Sequence, residues 1–125
     1  MSYILDASAL LASLHNETGF EVVDRLLPES AISTINLSEV IQKARQQGTL
    51  TETLVSNLQM AGVEIVDYTI EQAEMTAALW SITRPLGLSL ADRACLALAQ
   101  SRNAIAVTAD RNWAEVSNIQ IQIIR

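Results

Sequence analysis

Short apolar runs alternate with longer segments of helical spacing along the whole sequence. The short runs predict five strands, over residues 3–5, 31–33, 63–66, 105–107 and 119–124. Strands that alternate with helices indicate a parallel sheet covered by helices on both faces. No internal repeat, low-complexity segment or linker interrupts the 125 residues, so we expect an α/β fold in a single domain over residues 1–125.

The segments between the strands carry apolar residues three or four positions apart, which is the spacing of an amphipathic helix. They predict helices over residues 8–14, 20–27, 37–47, 51–60, 69–82 and 89–100. The residues that end three of them are typical helix breakers, namely Pro28, Gly48 and Gly62. Residues 84–87 predict a loop, and residues 110–113 predict a short turn after the fourth strand.

Composition restricts the class of protein. Half of the residues are apolar, which is enough for a substantial core, and the net charge is −6. This acidic balance argues against binding nucleic acid through a basic face, unless some of the acids are metal ligands. The single cysteine, Cys95, excludes an internal disulfide and favours a reducing compartment. We expect a cytoplasmic protein, because the sequence shows neither a signal peptide nor an apolar stretch of the roughly 18 residues that span a membrane.

Four acidic residues lie where predicted strands end or predicted helices begin. Asp6 and Asp110 follow the first and fourth strands, Glu39 lies one turn inside a helix, and Asp92 lies in the first turn of another. A helix that connects two parallel strands runs antiparallel to them, so its N-terminus lies over the carboxyl edge of the sheet. All four acids are therefore predicted at one edge, which is where open α/β sheets bind ligands.

Each acid alone has a structural explanation. Asp6 and Asp110 are suitable N-caps, and residues 36–39 and 89–92 both show a polar cap followed by an acid three positions later. Four carboxylates at one edge repel one another, however, and a fold is unlikely to gather them without a cation. Their convergence therefore favours a functional site over four separate caps.

The predicted ligands are carboxylates without histidine or cysteine, which selects Mg²⁺ or Mn²⁺ over Zn²⁺. The only histidine, His15, lies in a polar break and is interpreted as a loop residue. A divalent ion held by acids generates the nucleophile and neutralises the leaving oxygen in phosphoester cleavage. The polar neighbours expected to orient the acids or their waters are Ser8, Asn36, Ser89 and Thr108.

These residues resemble the motifs of the PIN domain, and within it those of the VapC-type toxins of bacterial toxin–antitoxin pairs. The resemblance spans the whole chain and rests on ILDASA at 4–9, NLSEV at 36–40, LADRACLALA at 90–99, and VTAD at 107–110 with Trp113. It implies an α/β/α sandwich with a central parallel sheet and a Mg²⁺- or Mn²⁺-dependent endoribonuclease. It also implies a cognate antitoxin and a homodimer. The family's catalytic and metal-binding acids carry over onto Asp6, Glu39, Asp92 and Asp110.

The acidic composition leaves few residues to contact RNA. Arg93 and Arg111 each directly follow a predicted ligand, so they are the best candidates for phosphate contacts. Arg45, Arg84 and Arg102 are further candidates. We expect the antitoxin or a second copy to cover apolar side chains that exceed one buried helix face.

Three other classes of α/β protein fit these residues less well than a PIN domain. A receiver-type phosphoacceptor has paired acids after the first strand and a late lysine, whereas no lysine follows Lys43. A phosphatase with an aspartate nucleophile has a second acid two residues on, where this chain has Ser8. A dinucleotide-binding domain has a glycine-rich first turn, and no glycine precedes Gly19. The alternative that stays open is a non-catalytic PIN-like domain that binds RNA or a protein partner.

Overall fold

The computed structural model describes residues 2–125, within which five parallel strands form one sheet. The strands are β1 (Tyr3–Leu5), β2 (Ser30–Ser33), β3 (Glu64–Val66), β4 (Ile105–Thr108) and β5 (Ile121–Ile123). Their order across the sheet is β3–β2–β1–β4–β5, so the first strand in the chain lies at the centre. Tyr3 of β1 lies opposite Ser30 on one side and Ile105 on the other. The predicted parallel sheet is confirmed.

Seven helices within residues 2–125 flank the sheet. They are α1 (Ala7–His15), α2 (Phe20–Leu26), α3 (Thr34–Gln46), α4 (Leu54–Met60), α5 (Ile70–Ala78), α6 (Trp80–Thr83) and α7 (Leu90–Arg102). Single 3-10 turns cover Leu27–Glu29, Arg84–Leu86 and Arg111–Glu115. Within the described residues, no helix combines the length and apolar character that crossing a bilayer requires.

Neighbouring residues of each strand enter opposite cores, because side chains alternate along a strand. Leu5 and Val107 belong to a core that includes residues of α1, α2, α3 and α4. Ile4 and Ala106 belong to a second core, built mainly by α7. The sheet therefore separates two helical layers, as the predicted α/β/α sandwich requires.

The structure corrects the prediction at the start of α3. Ser33, the last residue of β2, caps this helix by accepting the Ile35 backbone N–H at 3.2 Å. The strand and the helix therefore join without a loop, and Asn36 lies inside the first turn. The predicted cap at Asn36 is wrong, and Glu39 consequently lies in the second turn of the helix.

Two further helix boundaries differ from the prediction. The helix predicted over residues 69–82 is interrupted at Leu79, which is buried in the second core between α5 and α6. The Thr83 hydroxyl donates to the Leu79 carbonyl at 2.8 Å and stabilises the turn after the break. The helix predicted from Thr51 begins at Leu54, because the preceding residues form a turn closed by Leu54 N–H and the Thr51 carbonyl.

Candidate active site

A cleft of about 270 Å³ opens at the carboxyl edge of the sheet, where β1 and β4 end and α3 and α7 begin. Its lining residues are Asp6, Ala7, Ser8, Glu39, Lys43, Ser89, Asp92 and Asp110. All four acids singled out in the sequence therefore share one cleft. Two of the polar neighbours, Ser8 and Ser89, line it as well.

Two of the acids lie just beyond the ends of strands. Asp6 follows β1 and caps α1, where it accepts the Ala9 backbone N–H at 2.8 Å. Asp110 follows β4 and caps the next 3-10 turn, where it accepts the Asn112 backbone N–H at 2.9 Å. Asp6 and Asp110 are therefore both N-caps, as the structural explanation of these acids predicts. The caps also fix the two carboxylates at the same edge of the sheet.

Helix starts place the other two acids. Asp92 and Ser89 form a capping box, in which the Asp92 N–H donates to Ser89 Oγ at 3.1 Å and the Ser89 N–H donates to Asp92 Oδ2 at 2.9 Å. Glu39 projects from the second turn of α3 and pairs with Lys43 Nζ at 2.9 Å. Lys43 is a member of the cleft that the sequence analysis missed, although its spacing of four residues from Glu39 is typical of an ion pair on a helix.

Asp6 is held by hydroxyl groups from two parts of the chain. Ser8 Oγ lies 2.8 Å from Asp6 Oδ1, and Thr108 Oγ1 donates to Asp6 Oδ2 at 2.5 Å. Each hydroxyl also accepts a backbone N–H, from Ala109 to Ser8 at 2.9 Å and from Asp110 to Thr108 at 3.0 Å. A hydroxyl has a single hydrogen, so an amide on its acceptor side leaves that hydrogen to point at the carboxylate. Ser8 and Thr108 thus orient Asp6.

The environment of the acids shifts two of their pKa values. Burial raises the pKa of Asp6 from 3.8 to about 6, although the hydrogen bonds it accepts lower it and the Asp92 charge raises it further. Burial also raises the pKa of Asp92; the hydrogen bonds with Ser89 oppose this shift, and the charges of Glu39 and Asp110 add to it. The four acids therefore interact electrostatically across the cleft.

Asn36 connects the two helices that carry Glu39 and Asp92. Its Nδ2 donates to the Ala91 carbonyl at 3.0 Å, which joins α3 to the first turn of α7. The side chain is fully buried, and its Oδ1 has no hydrogen-bond partner among residues 2–125. The structure thus places Asn36 beside the acid-bearing turns and not at a helix cap.

The two arginines predicted to contact RNA lie outside the residues that line the cleft. Arg93 Nη1 donates to the Thr76 carbonyl at 3.0 Å, which holds the side chain against α5. Arg111 Nε donates to the Arg125 carbonyl at 3.0 Å. Their contact with RNA stays a prediction.

A larger cavity, of about 480 Å³, lies at the amino edge of the sheet. Its polar lining consists of the carboxamides of Gln100, Asn103, Asn118 and Gln120. Among residues 2–125 it is lined by no charged side chain. The charged groups that support hydrolytic chemistry therefore lie at the other edge, in the acidic cleft.

A family model of the PIN domain matches residues 3–119. The chain belongs to the PIN domain family. Its five-stranded parallel sheet and its two helical layers are therefore the α/β/α fold of a PIN domain. No curated protein matches the sequence.

Several solved structures share the fold of this PIN domain. The DNA-bound VapBC from Salmonella typhimurium is 22% identical with a TM-score of 0.75, and the match covers 100% of this chain and 99% of that chain. A toxin–antitoxin complex from Klebsiella pneumoniae is 20% identical with a TM-score of 0.75, covering 99% and 98%. FitAcB from Neisseria gonorrhoeae is 20% identical with a TM-score of 0.73, covering 95% of each chain. At these identities the likeness establishes the fold.

The donor groups in the cleft of this PIN domain suit a hard divalent cation. Carboxylates and hydroxyls line it, and Lys43 is the one cation among its lining residues. Within residues 2–125 no three His, Cys, Asp or Glu side chains are grouped so that they hold one ion by themselves. Mg²⁺ is commonly bound by one or two carboxylates and keeps several waters, so this spacing suits a hydrated ion.

Proposed function

We propose that this protein is a VapC-type toxin, a single-domain Mg²⁺- or Mn²⁺-dependent endoribonuclease that a cognate antitoxin inhibits. The observation that carries the proposal is the shared cleft of Asp6, Glu39, Asp92 and Asp110 at the carboxyl edge of a PIN fold. A cluster of like charges is costly unless a cation offsets it, and Lys43 is the one lining residue that does so. A divalent ion would offset the rest.

The four acids would hold the ion, one or two of them directly and the others through its bound waters. The contacts of the residues around the acids define what each of them does. A bound divalent ion supplies an activated water and neutralises charge on the phosphodiester. Ser8 and Thr108 hold the Asp6 carboxylate in one orientation through their hydrogen bonds. At neutral pH Asp6 is mainly ionised despite its burial, because its pKa is about 6. The capping box with Ser89 fixes Asp92 in the first turn of α7.

The proposed partners are an RNA substrate, an antitoxin and a second copy of the chain, all in the cytoplasm. Two of the similar solved structures are named as a VapBC assembly and as a toxin–antitoxin complex. Large apolar side chains stay exposed on this chain; Leu50 is 82% exposed and Met60 is 85% exposed. Coexpression with the protein encoded by the neighbouring reading frame tests the toxin assignment. Failure to co-purify, with cells tolerating this protein alone, would contradict it.

Cleavage of RNA tests the enzymatic assignment. We expect purified protein to cleave total cellular RNA with Mg²⁺ or Mn²⁺, to stop with EDTA, and to lose activity on Asp6→Asn. Asp67→Asn is a matched control, because Asp67 also follows a strand but is exposed and is not among the residues lining the cleft. Mapping the cleavage sites then gives the target.

The same experiment distinguishes an endoribonuclease from the alternative that stays open, a non-catalytic PIN-like domain. A non-catalytic domain would bind RNA or a protein while leaving RNA intact at every metal concentration. Wild-type protein and Asp67→Asn would then be as inert as Asp6→Asn, and the endoribonuclease assignment would be wrong.

A further inference from the structure

Among residues 2–125, Lys43 is the only cation that lines the acidic cleft. It is also the only lysine in the sequence, which otherwise carries arginine. Its Nζ lies 2.9 Å from Glu39 Oε2, one helical turn away on α3. Roughly half of the Lys43 side chain is exposed, so the ammonium is accessible from the cleft.

We infer that Lys43 binds a phosphate of the RNA substrate. When RNA enters the cleft, the Lys43 ammonium breaks its pair with Glu39 and contacts a phosphate oxygen instead. The inference rests on the proposed ribonuclease function and assigns the group that contacts the substrate backbone. RNA has a negative charge at every phosphate, and four carboxylates on the cleft wall repel it. The positive charge of Lys43 attracts a phosphate to this wall of the cleft.

The Glu39–Lys43 pair is suited to exchange. It is a solvent-accessible pair four residues apart on one helix, and such pairs are weak. A lysine ammonium is a compact charge on a flexible stem, so it can change partner without moving the helix. Departure of Lys43 frees the Glu39 carboxylate, which then faces the other acids and any divalent ion among them.

The arginines next to the acids in sequence, and the arginine on the same helix as Lys43, each donate a hydrogen bond to a group that does not line the cleft. Arg93 is held by the Thr76 carbonyl, and Arg111 by the Arg125 carbonyl. Arg45 lies on the same helix as Lys43, but its Nε donates to Thr51 Oγ1 at 2.9 Å and it is not among the residues lining the cleft. Lys43 is therefore the cation placed to meet a phosphate beside the acids.

The test compares Lys43→Gln with Arg25→Gln, which removes a positive charge from an exposed position of α2 outside the cleft. Binding is measured by fluorescence anisotropy with labelled oligo(U) and oligo(A) RNA and Mg²⁺, in an Asp6→Asn background that leaves the RNA intact. We expect Lys43→Gln to weaken the binding of both RNAs about fivefold at low salt, the equivalent of ~1 kcal/mol. The slope of log K against log salt should fall by about 0.7, as for one lost phosphate contact on a single strand.

Two further variants distinguish contact with RNA from an effect through Glu39. Lys43→Arg keeps the charge and should retain most of the affinity and the slope. In an Asp6→Asn/Glu39→Gln background, Lys43→Gln should still weaken binding, because the phosphate contact does not need Glu39. If its effect disappears there, or if Arg25→Gln has the same effect, the inference is overturned.

Steady-state cleavage separates this inference from the proposed function. We expect Lys43→Gln to raise KM about fivefold with a smaller change in kcat, because the contact forms already in the ground state. Wild-type protein that cleaves RNA, with KM and the salt slope unchanged by Lys43→Gln, contradicts the inference alone. Wild-type protein that cleaves no RNA contradicts the proposed function, and binding that is nevertheless weakened by Lys43→Gln would still support a phosphate contact.

Discussion

Thr108 Oγ1 donates a hydrogen bond to Asp6 Oδ2 at 2.5 Å and accepts the Asp110 backbone N–H at 3.0 Å. One hydroxyl therefore connects two acids of the cleft, by orienting the carboxylate of the first and the backbone of the second. Thr108 is fully buried, so neither contact is exchanged for water without cost.

Removal of this hydroxyl should destabilise the protein. We expect Thr108→Val to lower the free energy of unfolding by about 1–3 kcal/mol, because it leaves the Asp110 N–H without a partner and removes one of the two hydroxyl contacts of Asp6 Oδ2. Thr108→Ser keeps the hydroxyl and should lie closer to the wild type. Urea denaturation at neutral pH measures both, and equal losses for the two variants would show that the methyl group contributes as much as the hydroxyl.

Stability without metal should fall as pH rises from about 4 to about 6. The pKa of Asp6 is about 6 in the folded protein against 3.8 for the free side chain, so the folded state binds more protons over this interval. Two pH units correspond to at most about 3 kcal/mol. The raised pKa of Asp92 contributes in the same direction, whereas the pKa of Glu64, lowered by Arg102, contributes in the opposite one.

The variant Asp6→Asn isolates the contribution of Asp6 to this decrease of stability with pH. Urea denaturation in EDTA across this pH range should show a smaller decrease for the variant than for the wild type. Parallel pH profiles for the two proteins would show that Asp6 titrates at its ordinary pKa.

Mg²⁺ should stabilise the folded protein through the acids. At ten times its dissociation constant, we expect the ion to raise Tm by about 5 °C. Asp92→Asn should change the stability without metal by less than about 1 kcal/mol, because asparagine still accepts the Ser89 N–H and the repulsion is relieved. It should also lose much of the Mg²⁺ effect, which Asp67→Asn should retain. An unchanged Mg²⁺ response in Asp92→Asn would assign Asp92 to capping alone.

Two glycines with positive φ allow a matched test of the packing beside β3. Gly62 has φ +96°, and a Cβ there would lie 2.8 Å from Pro28 Cα; Gly48 has φ +80°, and a Cβ there would meet nothing within 4 Å. Gly48→Ala should cost about 1–2 kcal/mol of backbone strain. Gly62→Ala should cost about 1–3 kcal/mol more, because the proline backbone cannot yield easily. Thermal unfolding compares them, and equal Tm losses would mean that the turn at Gly62 adjusts.

The sequence was informative where local pattern and topology agree. The run Tyr3–Leu5 ended by Asp6 placed a strand and an acid correctly, because a buried strand and an N-cap are both short-range features. Once the strands were assigned as parallel, helix direction alone brought Asp92 to the same edge. The long distance in sequence between these acids was therefore no obstacle to predicting that they share a cleft.

The directions of side chains and the first residues of helices were harder to predict from the sequence. Arg93 follows Asp92 in sequence, yet its guanidinium is held by the Thr76 carbonyl of another helix, a contact that only the packed structure specifies. Asn36 was misplaced because Ser33 caps α3 directly from the end of β2. Lys43 was overlooked although its spacing from Glu39 is visible in the sequence, because a helix-surface ion pair acquires meaning only when the helix is known to border the cleft.

The central position of β1 has a consequence for synthesis of the chain. Asp6 and Thr108 are 102 positions apart, and a ribosome adding about 5–20 residues per second needs roughly 5–20 s to travel between them. During that interval β2 can already pair with β1, but the other edge of β1 is unpaired and Asp6 lacks its contact with Thr108. A product truncated before β4 would carry Asp6 without its geometry. The proposed ribonuclease would therefore be inert while most of its own messenger is being read.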